Sequence, residues 1–407
     1  MPESQMRPIR ETISLEEALR IIEAATPPIE RVELRPIERA NGRIVASAVV
    51  AGSDVPPFAR AAMDGYAVIA SDTFGAGSFE PRLLECVETV YTGQVPSRGV
   101  SPRQCIEIAT GAPLPAGADA VVMVEETEKA PSGTVRVFSP VYPGQNVGRQ
   151  GADLVAGQVI AAPGTLLNPS RIGAIAAVGM ADVTVYGRPR VAILSTGNEI
   201  AEPGRPLGPG QIYDINRFTL STIVEENGAV AVPHAITPDS LEDLTSAFEA
   251  AAGEDLIVFS GGSSVGERDL ILDAVDRAGE VLFHGIAVKP GKPTLFGRVG
   301  GKPVFGMPGY PTSCLSNGYM LLVPVLRKLA RLPAAAPRTI TLPLGQRIVS
   351  TTGRHQFYTV RVADGTAMPA FKQSGDITSM SLADGYIEIP PQIDIVEKGE
   401  MVTVRLF

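Results

Sequence analysis

Apolar residues recur at i, i+3, i+4 and i+7 over Leu15, Ala18, Leu19 and Ile22, so residues 14–25 are predicted to form an amphipathic helix. Ser14 and Glu17 have capping-box spacing at its start. From about residue 49 to 138 the pattern changes to short apolar runs (83–90, 105–110, 120–125) separated by Gly/Pro turns, which predicts a β-rich module. A second helix is expected over 170–179, after Asn168-Pro169. If it packs on the first, the β module is an insertion within one domain. Residues 190–331 then alternate strands (191–195, 229–236, 256–260, 281–288, 303–307) with helices (216–227, 240–252, 270–278, 312–330). That rhythm predicts a mostly parallel sheet covered on both faces, with ligands at the strand carboxyl ends. After a Leu332-Pro-Ala-Ala-Ala-Pro337 linker, alternating strands return through residue 407 and predict a small β-barrel or sandwich.

The expected fold class is therefore multidomain α/β plus β. Its parts are a β-rich domain (49–139), a helical/β linker domain that is discontinuous (1–48 and 140–188) if that β module is an insertion, a three-layer α/β domain (189–331) and a C-terminal β-barrel or sandwich (332–407). The 42 glycines and 35 prolines among 407 residues fit many tight turns, and 44% apolar content argues against disorder. A net charge of −9 excludes a general nucleic-acid or anionic-membrane binder, so an anion site must be a local pocket. Three scattered cysteines form neither a disulfide framework nor a zinc site, and three histidines lack metal-ligand spacing. No secretory signal or membrane span is read, and a cytoplasmic location is expected.

The strand-end loops carry the candidate chemistry. Thr196-Gly-Asn-Glu-Ile200 and Gly261-Gly-Ser-Ser-Val-Gly-Glu-Arg-Asp269 combine glycine with acidic side chains. Glycine admits a phosphate close to backbone N–H groups, while Glu199 and Asp269 would repel it without a hard cation such as Mg2+. A tight turn with ordinary helix caps is the alternative. Asp239 reads as a cap with Glu242 as its reciprocal partner, and Asp214 as another cap. Lys289-Pro-Gly-Lys-Pro293 holds two ammonium groups in a stiff turn suited to an oxyanion. Pro311, Thr312 and Ser313 open the following helix, and Arg354 and Ser374 lie in turns of the last module.

In order along the chain, Pro57-Phe-Ala-Arg-Ala-Ala-Met-Asp-Gly-Tyr-Ala67, Ala109-Thr-Gly-Ala-Pro113, Gly117-Ala-Asp-Ala-Val-Val122 and Gly151-Ala-Asp153 come first. Ser195-Thr-Gly-Asn-Glu199, the Gly261–Asp269 loop, the lysine turn, Met307-Pro-Gly-Tyr-Pro311 and Ser374-Gly-Asp-Ile-Thr-Ser-Met380 follow, with Ala383-Asp-Gly385 last. Together they resemble the molybdopterin molybdenumtransferase family, the MoeA-like proteins related to the gephyrin E domain. Ser263 stands where valine is commoner in that family, and Tyr310 where asparagine is frequent.

The resemblance implies that the α/β domain binds molybdopterin and that molybdate is inserted into adenylylated molybdopterin, with Mg2+, releasing AMP. It implies catalytic roles for Asp64, Thr110, Asp153, Glu199, Asp239 and Asp269, with Glu199, Asp239 and Asp269 holding the metal. Cofactor-binding roles fall to Gly261, Gly262, Ser263, Lys289, Lys292, Pro308, Pro311, Ser313, Arg354 and Ser374. It further implies a homodimer whose active site takes the Met63-Asp-Gly-Tyr-Ala67 loop from the partner chain, and functional partners in the molybdopterin adenylyltransferase and molybdoenzyme acceptors. A gephyrin-like non-catalytic scaffold and a molybdopterin adenylyltransferase are the alternatives.

Overall fold

A computed structural model describes Ile9, residues 11–261 and residues 270–407. The chain divides into two compact units, one of Met1–Glu33 with Tyr186–Phe407 and one of Leu34–Val185. It crosses between them twice, within strands Val32–Pro36 and Asp182–Tyr186.

The first unit is built on a six-stranded sheet in the order Val230–Pro233, Arg190–Ser195, Leu256–Ser260, Lys302–Met307, Leu295–Val299, Gly279–His284. The first four strands run parallel, and the last two are antiparallel to their neighbours. Strand side chains alternate between faces. Val191, Ile193, Leu256 and Val258 enter one core with helices Asn216–Glu226 and Val323–Leu329. Ala192, Leu194, Ile257 and Phe259 enter the other with Leu241–Ala250 and Leu270–Ala278. This is the expected covered sheet, with its strand tips left for the loops.

The predicted N-terminal helix is Leu15–Ala25, and Ser14 caps it by accepting from the Glu17 N–H. Ala18, Ile22 and Ala25 join the core of the α/β sheet. The second helix, Pro169–Ala177, instead buries Ile175 in a separate cluster with Val45, Val49, Val183 and Val185. The two helices share no core.

Three expectations change. The stretch 281–288 is not one strand: Gly279–His284 ends before Gly285, whose φ of +102° breaks extended backbone, and Val288–Lys289 joins the C-terminal sheet. Strand Leu295–Val299 was not foreseen. The long helix is divided into Pro311–Asn317, a π turn at Gly318–Leu322 and Val323–Leu329. Pro324 lacks an N–H and crowds the carbonyl one turn back, at Met320, so the wider turn falls where regular helix would clash.

The C-terminal sheet runs Val288–Lys289, His355–Ala363, Gly385–Ile389, Met401–Leu406, Thr339–Pro343, with Thr366–Pro369 paired to His355–Ala363. Leu344, Val360, Ile387 and Val404 fill its core. In the second unit, Gly65–Val68 lies within a six-stranded sheet between Ala120–Met123 and Gln104–Ile108. Tyr66 and Val68 face one cluster and Ala67 the other, so this strand is buried on both faces.

Candidate active site

Three adjacent parallel strands bring their carboxyl ends together at Thr196, Gly261 and Met307. The Thr196 N–H donates to the Ser260 carbonyl at 3.0 Å, and the Gly261 N–H reaches the Met307 carbonyl at 3.4 Å. Gly261 has φ +102°, and a Cβ there would lie 2.4 Å from the Thr196 carbonyl oxygen, so only glycine fits this approach. Pro308 is buried after the strand end, and the Gly309 carbonyl accepts from Asn216 Nδ2 at 2.8 Å.

Thr196 bridges Thr237 and the Gly197 N–H reaches the Thr237 carbonyl at 3.4 Å, which brings the loops of Glu199 and Asp239 side by side at these tips. Partial burial and the charge of Glu199 push the Asp239 carboxyl above its usual range, against the pull of a hydrogen bond from the Asn198 N–H. A Cβ at Gly197 would lie 2.8 Å from a Glu199 carboxylate oxygen, so glycine leaves room for that side chain. Asp239 is not the helix cap expected from its spacing. Ser240 caps Leu241–Ala250 by accepting from the Asp243 N–H, which leaves Asp239 toward Glu199. Asp214 does act as a cap, accepting from the Arg217 N–H at 3.0 Å.

The lysine turn is anchored at both ends. Lys289 Nζ donates to Thr351 Oγ1 at 2.7 Å, and Lys292 Nζ to the Ile9 carbonyl at 2.8 Å. Val288 pairs with His355, which places Arg354 beside this turn's strand. Pro311 occupies the first turn of its helix, followed by buried Thr312 and Ser313. Thr312 donates its N–H to the Ser374 carbonyl at 3.0 Å and its hydroxyl to the Asp376 carbonyl at 2.9 Å, fixing the Ser374 turn against the helix start. Among the described residues no salt bridge joins the acidic pair to either lysine. The strand tips and the lysine turn connect through the segment from Met307 to Asn317.

In the second unit, Asp64 accepts from the Thr110 N–H at 2.6 Å and from its hydroxyl at 2.8 Å, bonds that hold the carboxyl below its usual range. Asp153 is exposed in a turn whose N–H donates to the Val55 carbonyl at 2.9 Å. Gly262, Ser263 and Asp269 lie outside the described residues. No group of three His, Cys, Asp or Glu side chains placed to hold a metal occurs among the described residues. Sequence spacing did not reveal Thr351, Thr294, Asn216 or Asn317, which pin the site loops. Their only signal is a polar residue, buried at 216, 294 and 317 and half-buried at 351, bonded to a partner elsewhere in the chain.

Away from these residues, a cavity of about 890 Å3 is lined by Leu19, Ile22, Tyr319, Arg327, Tyr386 and Phe407, among others, and contains none of the predicted site residues. Among the described residues no helix is long and apolar enough to cross a membrane.

Three family models match consecutive parts of the chain: the MoeA N-terminal region (domain I and II) over residues 13–179, a probable molybdopterin binding domain over 192–328, and the MoeA C-terminal region (domain IV) over 341–407. Molybdopterin molybdenumtransferase 2 of Mycobacterium tuberculosis is 34% identical over 380 residues, covering 91% of this chain and 93% of the relative. The molybdopterin molybdenumtransferase of Haemophilus influenzae is 32% identical over 379 residues, with 91% and 93% covered. A crystal structure of a molybdopterin biosynthesis MoeA protein from Pyrococcus horikosii superposes with a TM-score of 0.85 at 39% identity, covering 97% of this chain and 99% of that one. With likeness running through every domain in the same order, the chain belongs to the molybdopterin molybdenumtransferase family.

Proposed function

We propose that this chain inserts molybdate into adenylylated molybdopterin in molybdenum cofactor biosynthesis, releasing AMP and the finished cofactor. The observation that carries this reading is that the loops bearing Glu199 and Asp239 are bridged at Thr196 and Thr237, at the parallel strand tips and in the same compact unit as the Lys289–Lys292 turn. Two carboxylates on neighbouring loops, one of them opened by glycine, fit a divalent cation bound through oxygen. Mg2+ would be held by Glu199 and Asp239; Asp269 joins them on family resemblance alone. When bound, it would neutralise phosphate charge and polarise a phosphoryl oxygen.

The chain's own residues then divide the work. Glycine at 197 and 261 lets an anionic ligand approach the backbone at the strand tips. Lys289, Lys292 and Arg354 attract molybdate and offset its charge beside the pterin dithiol, whose two sulfurs bind molybdenum as one oxo group leaves as water with the two thiol protons. Pro308, Pro311 and the Thr312–Ser374 contact fix the wall between the two groups. Asp64, Thr110 and Asp153 belong to the second unit. The family resemblance supports a homodimer in which they come from the partner chain, and an adenylyltransferase and apo-molybdoenzymes as the preceding and following partners.

Incubating the purified chain with adenylylated molybdopterin, Mg2+ and molybdate or tungstate, then quantifying AMP and metallated cofactor, tests the proposal. Both products should appear together and depend on the oxyanion. Their absence with intact substrate would refute it.

A further inference from the structure

Asn317 ends the Pro311–Asn317 helix at the edge of the π turn, and it is fully buried. Its Nδ2 donates to the Gly291 carbonyl at 2.9 Å and to Thr294 Oγ1 at 2.5 Å. Thr294 uses its own hydroxyl proton on that same carbonyl, at 2.9 Å. Both neighbours therefore offer Asn317 only lone pairs, and the position demands an N–H donor. An aspartate of the same shape would face two acceptors with nothing to give.

The fit is close as well as polar. Gly291 has φ +104°, and a Cβ there would lie 2.4 Å from Asn317 Nδ2. The next carbonyl of the turn, that of Lys292, accepts from the Thr294 N–H at 2.9 Å and from the Ile286 N–H at 3.0 Å. The carbonyls of Gly291 and Lys292 are thus both fixed, the first of them through Asn317. At the following residue, glycine lets the helix approach Ile223: a Cβ at Gly318 would lie 2.8 Å from that side chain.

We propose that Asn317 is a positioning residue that sets the Lys289-Pro-Gly-Lys-Pro293 turn for a tetrahedral oxyanion, acting through the Gly291 carbonyl and Thr294. This rests on the oxyanion role given to the lysines above. Its effect should fall on affinity for the oxyanion rather than on the rate of the bound complex.

Calorimetric titration of the full-length chain with molybdate, with sulfate as competitor, tests the proposal on Asn317→Asp and Thr294→Val. Each folded variant is expected to bind molybdate about tenfold more weakly, with the apparent KM rising in step and kcat staying within about twofold. A purely structural role would lower the Tm and leave the affinity of the folded protein as it was. Thr294→Val keeps the side-chain shape and decides the matter if Asn317→Asp does not fold. Unchanged affinity in the folded variants overturns the positioning role. Lys289→Met reports on the underlying reading: if it binds molybdate like the wild type, or if the wild type binds none, the lysine assignment fails and this inference with it.

Discussion

Asp239 combines a cost to the fold with a use in the site. Its carboxyl is pushed up by partial burial and by Glu199, so the pair repels in the protein alone. Asp239→Asn should therefore hold or raise the Tm while lowering AMP release by at least about tenfold. Thermal melts and product assays on the same preparation check this; a variant that loses stability and keeps turnover contradicts it. Spacing gave Asp239 the task of a helix cap, which Ser240 performs, whereas the family resemblance gave it a metal-holding role. Spacing alone could not distinguish it from Ser240 as the cap, because both precede the same helix and both cap well. The pairing of residues far apart in the chain was not legible, even where one partner was singled out. Asn317 bonds 26 positions away and Lys289 reaches a threonine 62 positions away, and no periodicity encodes such pairs.

At the level of elements, alternation was readable wherever a strand is buried on both faces and its helix has one apolar stripe. Strand Leu256–Ser260 has the bounds that the pattern predicts, and helix Leu270–Ala278 ends where the pattern ends it. Strand Leu295–Val299 escaped because Gly297 interrupts its apolar run. The structure explains that glycine: a Cβ there would lie 2.4 Å from the Glu280 carbonyl oxygen and 2.8 Å from Val275. Gly297→Ala should lose about 1–3 kcal/mol in urea denaturation, and a neutral result would mean that the strand pair yields more easily than its packing suggests. In the C-terminal sheet, burial pushes the Glu388 carboxyl up, but the hydrogen bond with His355 and the charge of Arg405 outweigh it and leave the carboxyl below its usual range. A depressed carboxyl stabilises the fold fully above its unfolded value, about pH 4.3, and loses that contribution as pH falls through the folded value. Glu388→Gln should accordingly be less stable than the wild type at pH 7, with the gap closing in acid. Denaturation curves at both pH values measure it, and a gap independent of pH would exclude the ionic contribution.

For the whole molecule, the proposed cross-chain site makes a sharp prediction. Asp64 belongs to one compact unit and Asp239 to the other. If each active site draws them from different chains, re-associating Asp64→Asn with Asp239→Asn protein gives mixed dimers with one intact site and one doubly altered site. With random pairing, about a quarter of wild-type activity should return. If each site is built from one chain, mixing restores nothing. The family was legible because its motifs are spread along the chain, whereas the destination of the N-terminal helix was not, since an apolar stripe does not name its partner. That destination matters on the ribosome. Ala18, Ile22 and Ala25 pack with strand residues that begin only at Val191. At roughly 5–20 residues per second, the helix emerges some 8–33 s before its own sheet is translated. Throughout that interval the intervening unit is being made between an orphaned apolar stripe and its future seat, which makes the nascent N-terminus a natural client for a holdase chaperone.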